Sequence, residues 1–205
     1  MKAELILSTI ASRRTTRFYL NTPVPKELVD KVLEAARSAP SAHNSQPWVF
    51  YLIETPAVRL KLVDEMVDEW DRAMRTDGRP RELIEKTKLK FTHRFSKAPV
   101  LIVACVNHGA LYYERYADIH RKTLEGILGH HSLAAAIENM LLAAHALGLG
   151  SCWYSAPLFC SERVKKALDM KGELEPAALI TMGYPSKREH KDKLLRPSEQ
   201  VVIRV

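Results

Sequence analysis

Two short stretches hold residues able to do chemistry. One is Ser38–Trp48, SAPSAHNSQPW, a run of small and amide side chains. The other lies upstream, Arg13-Arg14-Thr15-Thr16-Arg17. Small residues let backbone amides approach a flat ligand, and Asn44 and Gln46 each bring a donor and an acceptor. A flavin ring edge carries both acceptors and a donor, so amides suit it. Guanidinium groups suit the other end of such a ligand, because they grip phosphate bidentately. Together the two stretches predict a flavin phosphate site. Each also has a plainer reading. Three arginines within five residues fit a solvated basic turn, and His43 reads as a loop histidine with no catalytic role.

The elements that must hold these stretches follow from periodicity and breakers. Glu4–Ala11 reads as a short amphipathic helix leading into the arginines. Pro25 suits a helix start, and Leu28, Val29, Val32, Leu33 and Ala36 recur at helical spacing until Pro40. Trp48–Ile53 and Pro99–Val106 are branched and aromatic runs expected to be buried strands. Leu128–Leu147 is an alanine-rich helix closed by Gly148 and Gly150. So apolar a helix predicts burial in the core or an interface. Ser151–Trp153 and Ala177–Met182 complete the strands, with a helix over 161–169 capped by Ser161 between them. Lys187–Arg196 is a basic tail, and Val201–Val205 is a candidate added strand. The segment 64–97 is a charged helical hairpin. Its charge pattern fits a solvated hairpin, and a lid over the cofactor is the sharper reading. The pattern is α+β, with helices over a mixed, mainly antiparallel sheet, in a single domain covering 1–205.

Composition narrows the class. The 205 residues are 46% hydrophobic and 27% charged, with a net charge of +7. That suits phosphate-bearing cofactors and acidic substrates. No basic–aromatic interleaving points to nucleic acid. Three unpaired cysteines favour a reducing, cytoplasmic setting over a disulfide framework. No run is long enough to predict a membrane span. Glu138, Asn139 and His145 on the apolar helix read as structural hydrogen-bonding groups rather than metal ligands.

Four blocks carry a family resemblance: Ser12–Phe18 (SRRTTRF), Ala39–Trp48 (APSAHNSQPW), Ala134–Trp153 (AAAIENMLLAAHALGLGSCW) and Met182–Pro185 (MGYP). In this order they resemble the FMN-dependent nitroreductase family over nearly the whole chain. Within it, AHNSQPW, the charged hairpin with Trp70 and Asp71, and GLGSCW are most similar to the C-terminal FMN reductase domain of deazaflavin-coenzyme gamma-glutamyl ligases. The resemblance implies a nitroreductase-like α+β fold in an intertwined homodimer, with termini wrapped around the partner and two FMN molecules at the interface.

It also implies residue roles. Arg13, Arg14 and Arg17, with the Thr15 hydroxyl, would hold the FMN phosphate and ribityl chain. Pro40, Ser41, Ala42 and Asn44 would lie along the flavin, with Asn44 bonding the ring edge, and Gln46 would brace that loop or reach the ring through Asn44. Cys152, Trp153, Tyr154 and Ser155 would face the ring near N5, where a backbone N–H can bond it. Trp153 fits core packing equally well. Ser132 would approach the pyrimidine edge. Many members have an acidic residue and a glycine where this chain has Tyr154 and Ser155. In the tail Lys193 matches a family lysine, but Leu195 occupies the position of the arginine, with Arg196 as a shifted substitute.

The activity so implied is hydride transfer from NAD(P)H through FMN to an electron-poor small molecule, by a ping-pong scheme with no catalytic side chain. A deazaflavin or its precursor is one candidate acceptor. Dehalogenation or oxidation of a small aromatic uses the same scaffold, and a non-catalytic flavin sensor would need the same motifs.

Overall fold

A computed structural model of the chain describes residues 2–186 and 193–205. Six α-helices and four strands lie in the order α1 (Lys2–Ser12), α2 (Lys26–Arg37), β1 (Trp48–Leu52), α3 (Pro56–Thr76), α4 (Arg81–Ser96), β2 (Val100–Asn107), α5 (Ile119–Ala146), β3 (Gly150–Tyr154), α6 (Ser161–Ala167) and β4 (Leu174–Gly183). The sheet order is β1-β2-β4-β3, with every neighbouring pair antiparallel. Among the described residues the one parallel element is an isolated bridge between Thr15 and Ser151.

Period-two alternation in β2 builds both halves of the core. Val100, Ile102, Ala104 and Val106 pack on α2 and α5, against Val32, Ala36, Ile137 and Met140. Leu101, Val103 and Cys105 face the other way, onto Leu62, Val63 and Met66 of α3, Phe95 of α4 and Val164 of α6. The sheet is thus covered on both faces, which is why β1 and β2 read as continuous apolar runs. Pro176 cannot donate a ladder bond, and the β2–β4 register shifts where it faces Cys105.

Several expectations change. Helix α5 begins nine residues earlier than its apolar stretch, because Asp118 caps it by accepting from the Arg121 N–H at 2.9 Å. Gly148 closes it at φ +77°, whereas Gly150 opens β3. Helix α6 starts at Ser161, with Cys160 in the cap position and no side-chain cap bond. Val201–Val205 forms no strand. It has no partner strand among the described residues, and Ile203 is 82% exposed. Positions 187–192 of the basic tail lie outside the described residues. The buried apolar stripe of α5 is covered by the chain's own sheet and α2. Exposed apolar side chains lie instead on α1 (Leu5, Ile6, Leu7, Ile10), near the start of α5 and in the C-terminal segment.

The hairpin α3–α4 is rooted in the core. Arg163 of α6 pairs with Glu65 at 2.8 Å and Glu69 at 2.7 Å, on the flank of the buried α3 stripe. The exposed part is the turn around Asp77–Arg81. Where β4 begins, Glu175 Oε2 gathers His108 Nε2 at 2.6 Å and His130 Nε2 at 3.2 Å, while His108 Nδ1 meets Tyr113 Oη at 2.5 Å. Burial would raise the Glu175 carboxyl, but the two imidazoles outweigh it and hold the group below its usual range. A depressed carboxyl stabilises the fold above its unfolded value, and that share is lost as pH falls through the folded value. Glu175→Gln should therefore lower stability by about 1 kcal/mol at neutral pH, given the partial exposure of the cluster. In urea titrations the gap between wild type and variant should close as pH falls through the carboxylate range. A gap that is constant with pH would contradict this.

Candidate functional site

The arginine segment is built by α1 ending at Ser12. Arg14 turns back, and its Nη1 donates to the carbonyls of Ala11, Ser12 and Arg13 at 2.8–3.1 Å. These are open carbonyls of a helix C-terminus, where a cation is favoured. Lys193 joins the same end, donating to the Ile10 carbonyl at 3.3 Å. Arg13 faces Glu138 of α5 at 3.6 Å. Arg196 is exposed.

The chain then crosses onto β3. Thr16 N–H donates to the Ser151 carbonyl at 2.9 Å. Tyr19 Oη donates to the Thr16 carbonyl at 2.6 Å and meets Thr181 Oγ1 at 2.7 Å. This stitching delivers Arg17 to a cavity of about 870 Å³ between the hairpin and the end of β3. Trp153, Tyr154 and Ser155 line one side of it, and Trp70, Phe91, Arg94 and Phe95 line the other. Trp153 is 38% exposed, so it serves the cavity rather than the core. Burial raises the Cys152 thiol and the Tyr154 phenol, opposed only in part by Arg17 and Arg94. Burial likewise pushes Cys105 up to about 12 and Cys160 up to about 11. None of the three cysteines is therefore poised as a thiolate.

The small-residue loop stands elsewhere. His43, Asn44 and Gln46 have φ of 54°, 53° and 46°, left-handed values that non-glycine residues adopt only under constraint. Ser132, in the middle of α5 and buried, accepts from Ala42 N–H at 3.1 Å and donates to the Leu128 carbonyl at 2.8 Å. Its hydroxyl positions the loop. Gln46 N–H donates to Ser41 Oγ, and Gln46 Nε2 donates to Asn44 Oδ1 at 3.3 Å. Gln46 thus braces Asn44, and the His43 ring stands edge-on to Tyr112. Pro40, Asn44 and Gln46 are exposed.

The structure therefore brings Arg17, Trp153, Tyr154 and Ser155 together, and sets Arg14 and Lys193 on one helix end. It does not bring Pro40–Gln46 or Ser132 to that cavity. Glu138, Asn139 and His145 make structural contacts: Asn139 Nδ2 donates to the Ala35 carbonyl at 3.1 Å, and His145 Nε2 meets Ser12 Oγ at 2.8 Å. Sequence reasoning missed Arg94 and Phe91. Their one signal is the Phe91, Arg94, Phe95 spacing, which sets all three on one helix face.

The chain is similar to known proteins over nearly its whole length. It is 29% identical over 200 residues to a protein of Methanothermobacter thermautotrophicus named as a candidate NADH dehydrogenase/NAD(P)H nitroreductase, covering 94% of this chain and 83% of that one. A BluB-like flavoprotein of Clostridium difficile 630 superposes with a TM-score of 0.80 at 28% identity, covering 98% of both chains. A candidate nitroreductase of Desulfovibrio desulfuricans, solved with FMN, gives 0.71 at 26% identity, covering 98% of this chain and 96% of that one. The sequence profile of the Nitroreductase family matches residues 10–184, the span that contains the arginine segment, the loop, the hairpin and all four strands, and the chain belongs to that family.

Proposed function

We propose that this chain is an NAD(P)H-dependent FMN oxidoreductase that reduces electron-poor small molecules. The observation that carries this is the delivery of Arg17 beside Trp153–Ser155 at the mouth of one large cavity, with Arg14 and Lys193 on the helix end that leads there. The residues fit FMN. Cations suit its phosphate, the strained loop turns exposed amides outward, and aromatic walls suit a flat ring. Family membership and FMN- and NAD(P)H-linked relatives support the same cofactor pair.

FMN, when bound, supplies hydride acceptance and donation at N5. The chain's part is positional. Arg13, Arg14, Lys193 and, as a shifted substitute, Arg196 would hold the phosphate end, with the Thr15 hydroxyl beside them. Arg17 would oppose charge that develops at the pyrimidine end. Backbone groups of Cys152–Ser155 would hold the ring edge. Ser132 would set the Ser41–Asn44 loop through Ala42.

The functional unit is a homodimer in this reading. The Pro40–Gln46 loop lies outside its own chain's cavity, so it would serve the cavity of a second copy. The exposed apolar residues of α1 and of the C-terminal segment supply surface for such wrapping. The tip of the hairpin would act as a lid while its root stays fixed. Among the described residues no helix is long and apolar enough to cross a membrane, and three free cysteines favour a cytoplasmic setting in this reading. A deazaflavin-type acceptor is a second reading, favoured by cations and aromatic walls in one cavity.

Reduction of a nitro group to a nitroso group takes one hydride from NAD(P)H and one proton from solvent, and releases water. The test is a visible spectrum of the purified protein, then anaerobic NADPH or NADH, then nitrobenzene or a quinone. A flavin spectrum bleached by a nicotinamide and restored by the acceptor is expected. Bound flavin that neither nicotinamide bleaches would overturn the enzymatic reading in favour of a sensor.

A further inference from the structure

Two residues that line the cavity each have a buried polar atom with no hydrogen-bond partner of nitrogen or oxygen: Nε of Arg94 on α4 and Oη of Tyr154 on β3. Both residues line the same space. A buried donor left unsatisfied is destabilising, and a charged one more so, so such atoms call for an explanation. The neighbouring groups offer none. Among the described residues no carboxylate forms an ion pair with Arg94 or Arg17. Glu69, on the cavity wall, is already held by Arg163 and Arg72. The Arg94 guanidinium carbon lies 5.4 Å from the Phe18 ring centroid and 6.0 Å from that of Phe91, so aromatic faces fix its position without satisfying its N–H groups. The Tyr154 hydroxyl has only the weak Cys152 thiol and the two guanidinium groups nearby.

Most of the rest of the wall is aromatic and aliphatic, with Glu69, Asp77 and Ser155 as further polar groups. Trp70 and Phe91 lie 3.9 Å apart between centroids, with Trp153 and Phe159 across the cavity. Arg17, Lys90 and Arg94 add positive charge. A ligand that answers all of this has a planar ring and one anionic oxygen group on its rim.

We propose that Arg94 and Tyr154 form an anion seat, and that the acceptor is a planar aromatic carrying a carboxylate or comparable anionic group. Arg94 donates a charge-assisted bond to that anion, and the Tyr154 hydroxyl donates a second. The ring lies against Trp70 and Phe91, which leaves its other face to the flavin that Cys152–Ser155 would hold. This rests on the oxidoreductase reading for the chemistry, but the seat itself is testable without turnover.

The test uses FMN-loaded protein without nicotinamide, titrated calorimetrically with benzoate and with benzamide, its neutral isostere. Benzoate should bind at least ~10-fold tighter, the worth of one charge-assisted bond. In Arg94→Gln that preference should collapse toward one, and in Tyr154→Phe it should fall by a few-fold. The ratio of kcat/KM for 4-nitrobenzoate over 4-nitrobenzamide should drop in parallel. Equal affinity of the wild type for benzoate and benzamide would overturn the proposal, as would an Arg94→Gln protein that keeps the preference. Should Arg94→Gln fail to fold, Tyr154→Phe removes a single oxygen and decides by the same ratio. Failure of NAD(P)H to bleach the flavin would sink the oxidoreductase reading while leaving the benzoate result standing.

Discussion

Replacing Gly150 by alanine should destabilise the protein by about 2–4 kcal/mol and strip it of flavin, although Gly150 does not line the cavity. A Cβ at Gly150 would sit 2.6 Å from both Cβ and Cγ2 of Thr16 and 2.7 Å from its Oγ1. Thr16 cannot easily yield. It is buried, its N–H is bonded to the Ser151 carbonyl, and its own carbonyl accepts from Tyr19. The contact lies at Cβ itself, so a rotamer change does not relieve it. The added methyl must therefore push Thr15–Arg17 off the start of β3, which moves Arg17 from the cavity mouth. The expected result is a lower thermal midpoint together with a low flavin-to-protein ratio by absorbance. Gly148→Ala is the control. It also has positive φ, but open space surrounds it, so it should cost about 1 kcal/mol and leave the flavin ratio alone. A Thr16→Gly, Gly150→Ala double variant should recover part of the loss, because the clashing atoms are gone. Flavin retention at wild-type level in Gly150→Ala would break the link between this close approach and the site.

How much of this was legible in the sequence depends on the kind of signal. WVFYLI and PVLIVACV read as strands because burial on both faces leaves no polar alternation to misread. The Arg17 segment and Cys152–Ser155 were linked only through the family resemblance, because they are far apart in sequence and meet where the chain after α1 crosses onto β3. The early start of α5 was hidden, since Gly126 and Gly129 weaken the helical pattern while the decisive signal is a single capping bond from Asp118. Gly129 is there for space, as a Cβ would meet Leu111 Cδ1 at 2.8 Å. The strain at His43, Asn44 and Gln46 is a backbone property with no sequence mark when glycine is absent. Arg94 was invisible for another reason. One arginine in a basic helix reads as solvated, and only tertiary packing beside Phe18 and Phe91 half-buries it. Glu175, His108 and His130 are far apart in sequence and meet only because β4, the end of β2 and α5 converge. Val201–Val205 misled in the opposite direction, since branched residues favour strands only where a partner edge is available.

The hairpin leads to the second large effect. Phe95→Ala should destabilise the protein by about 3–5 kcal/mol, as expected for a fully buried phenylalanine. Phe95 is 1% exposed, and its ring centroid lies 5.0 Å from that of Tyr154 and 5.6 Å from that of Phe91. It is the wedge that holds α4 against β3 and shapes the cavity. Its loss opens space beside a cavity that is already large, and little can collapse into it from the sheet side. The two helices of the hairpin should respond differently. Helix α3 keeps Leu62, Val63, Met66 and Val67 in the core and retains the Arg163 pairs to Glu65 and Glu69. Helix α4 has only Ile84 and Phe95 fully buried, so it loses one of its two anchors. Hydrogen exchange should therefore quicken across 82–96 and stay slow across 58–69. If the hairpin moves as a single lid, both spans should quicken together, and the fixed root described above would be wrong. Phe91→Ala, at a half-buried position, should cost less than Phe95→Ala and leave exchange in α4 nearer to wild type, because Phe91 forms the cavity wall while Phe95 holds the helix in place.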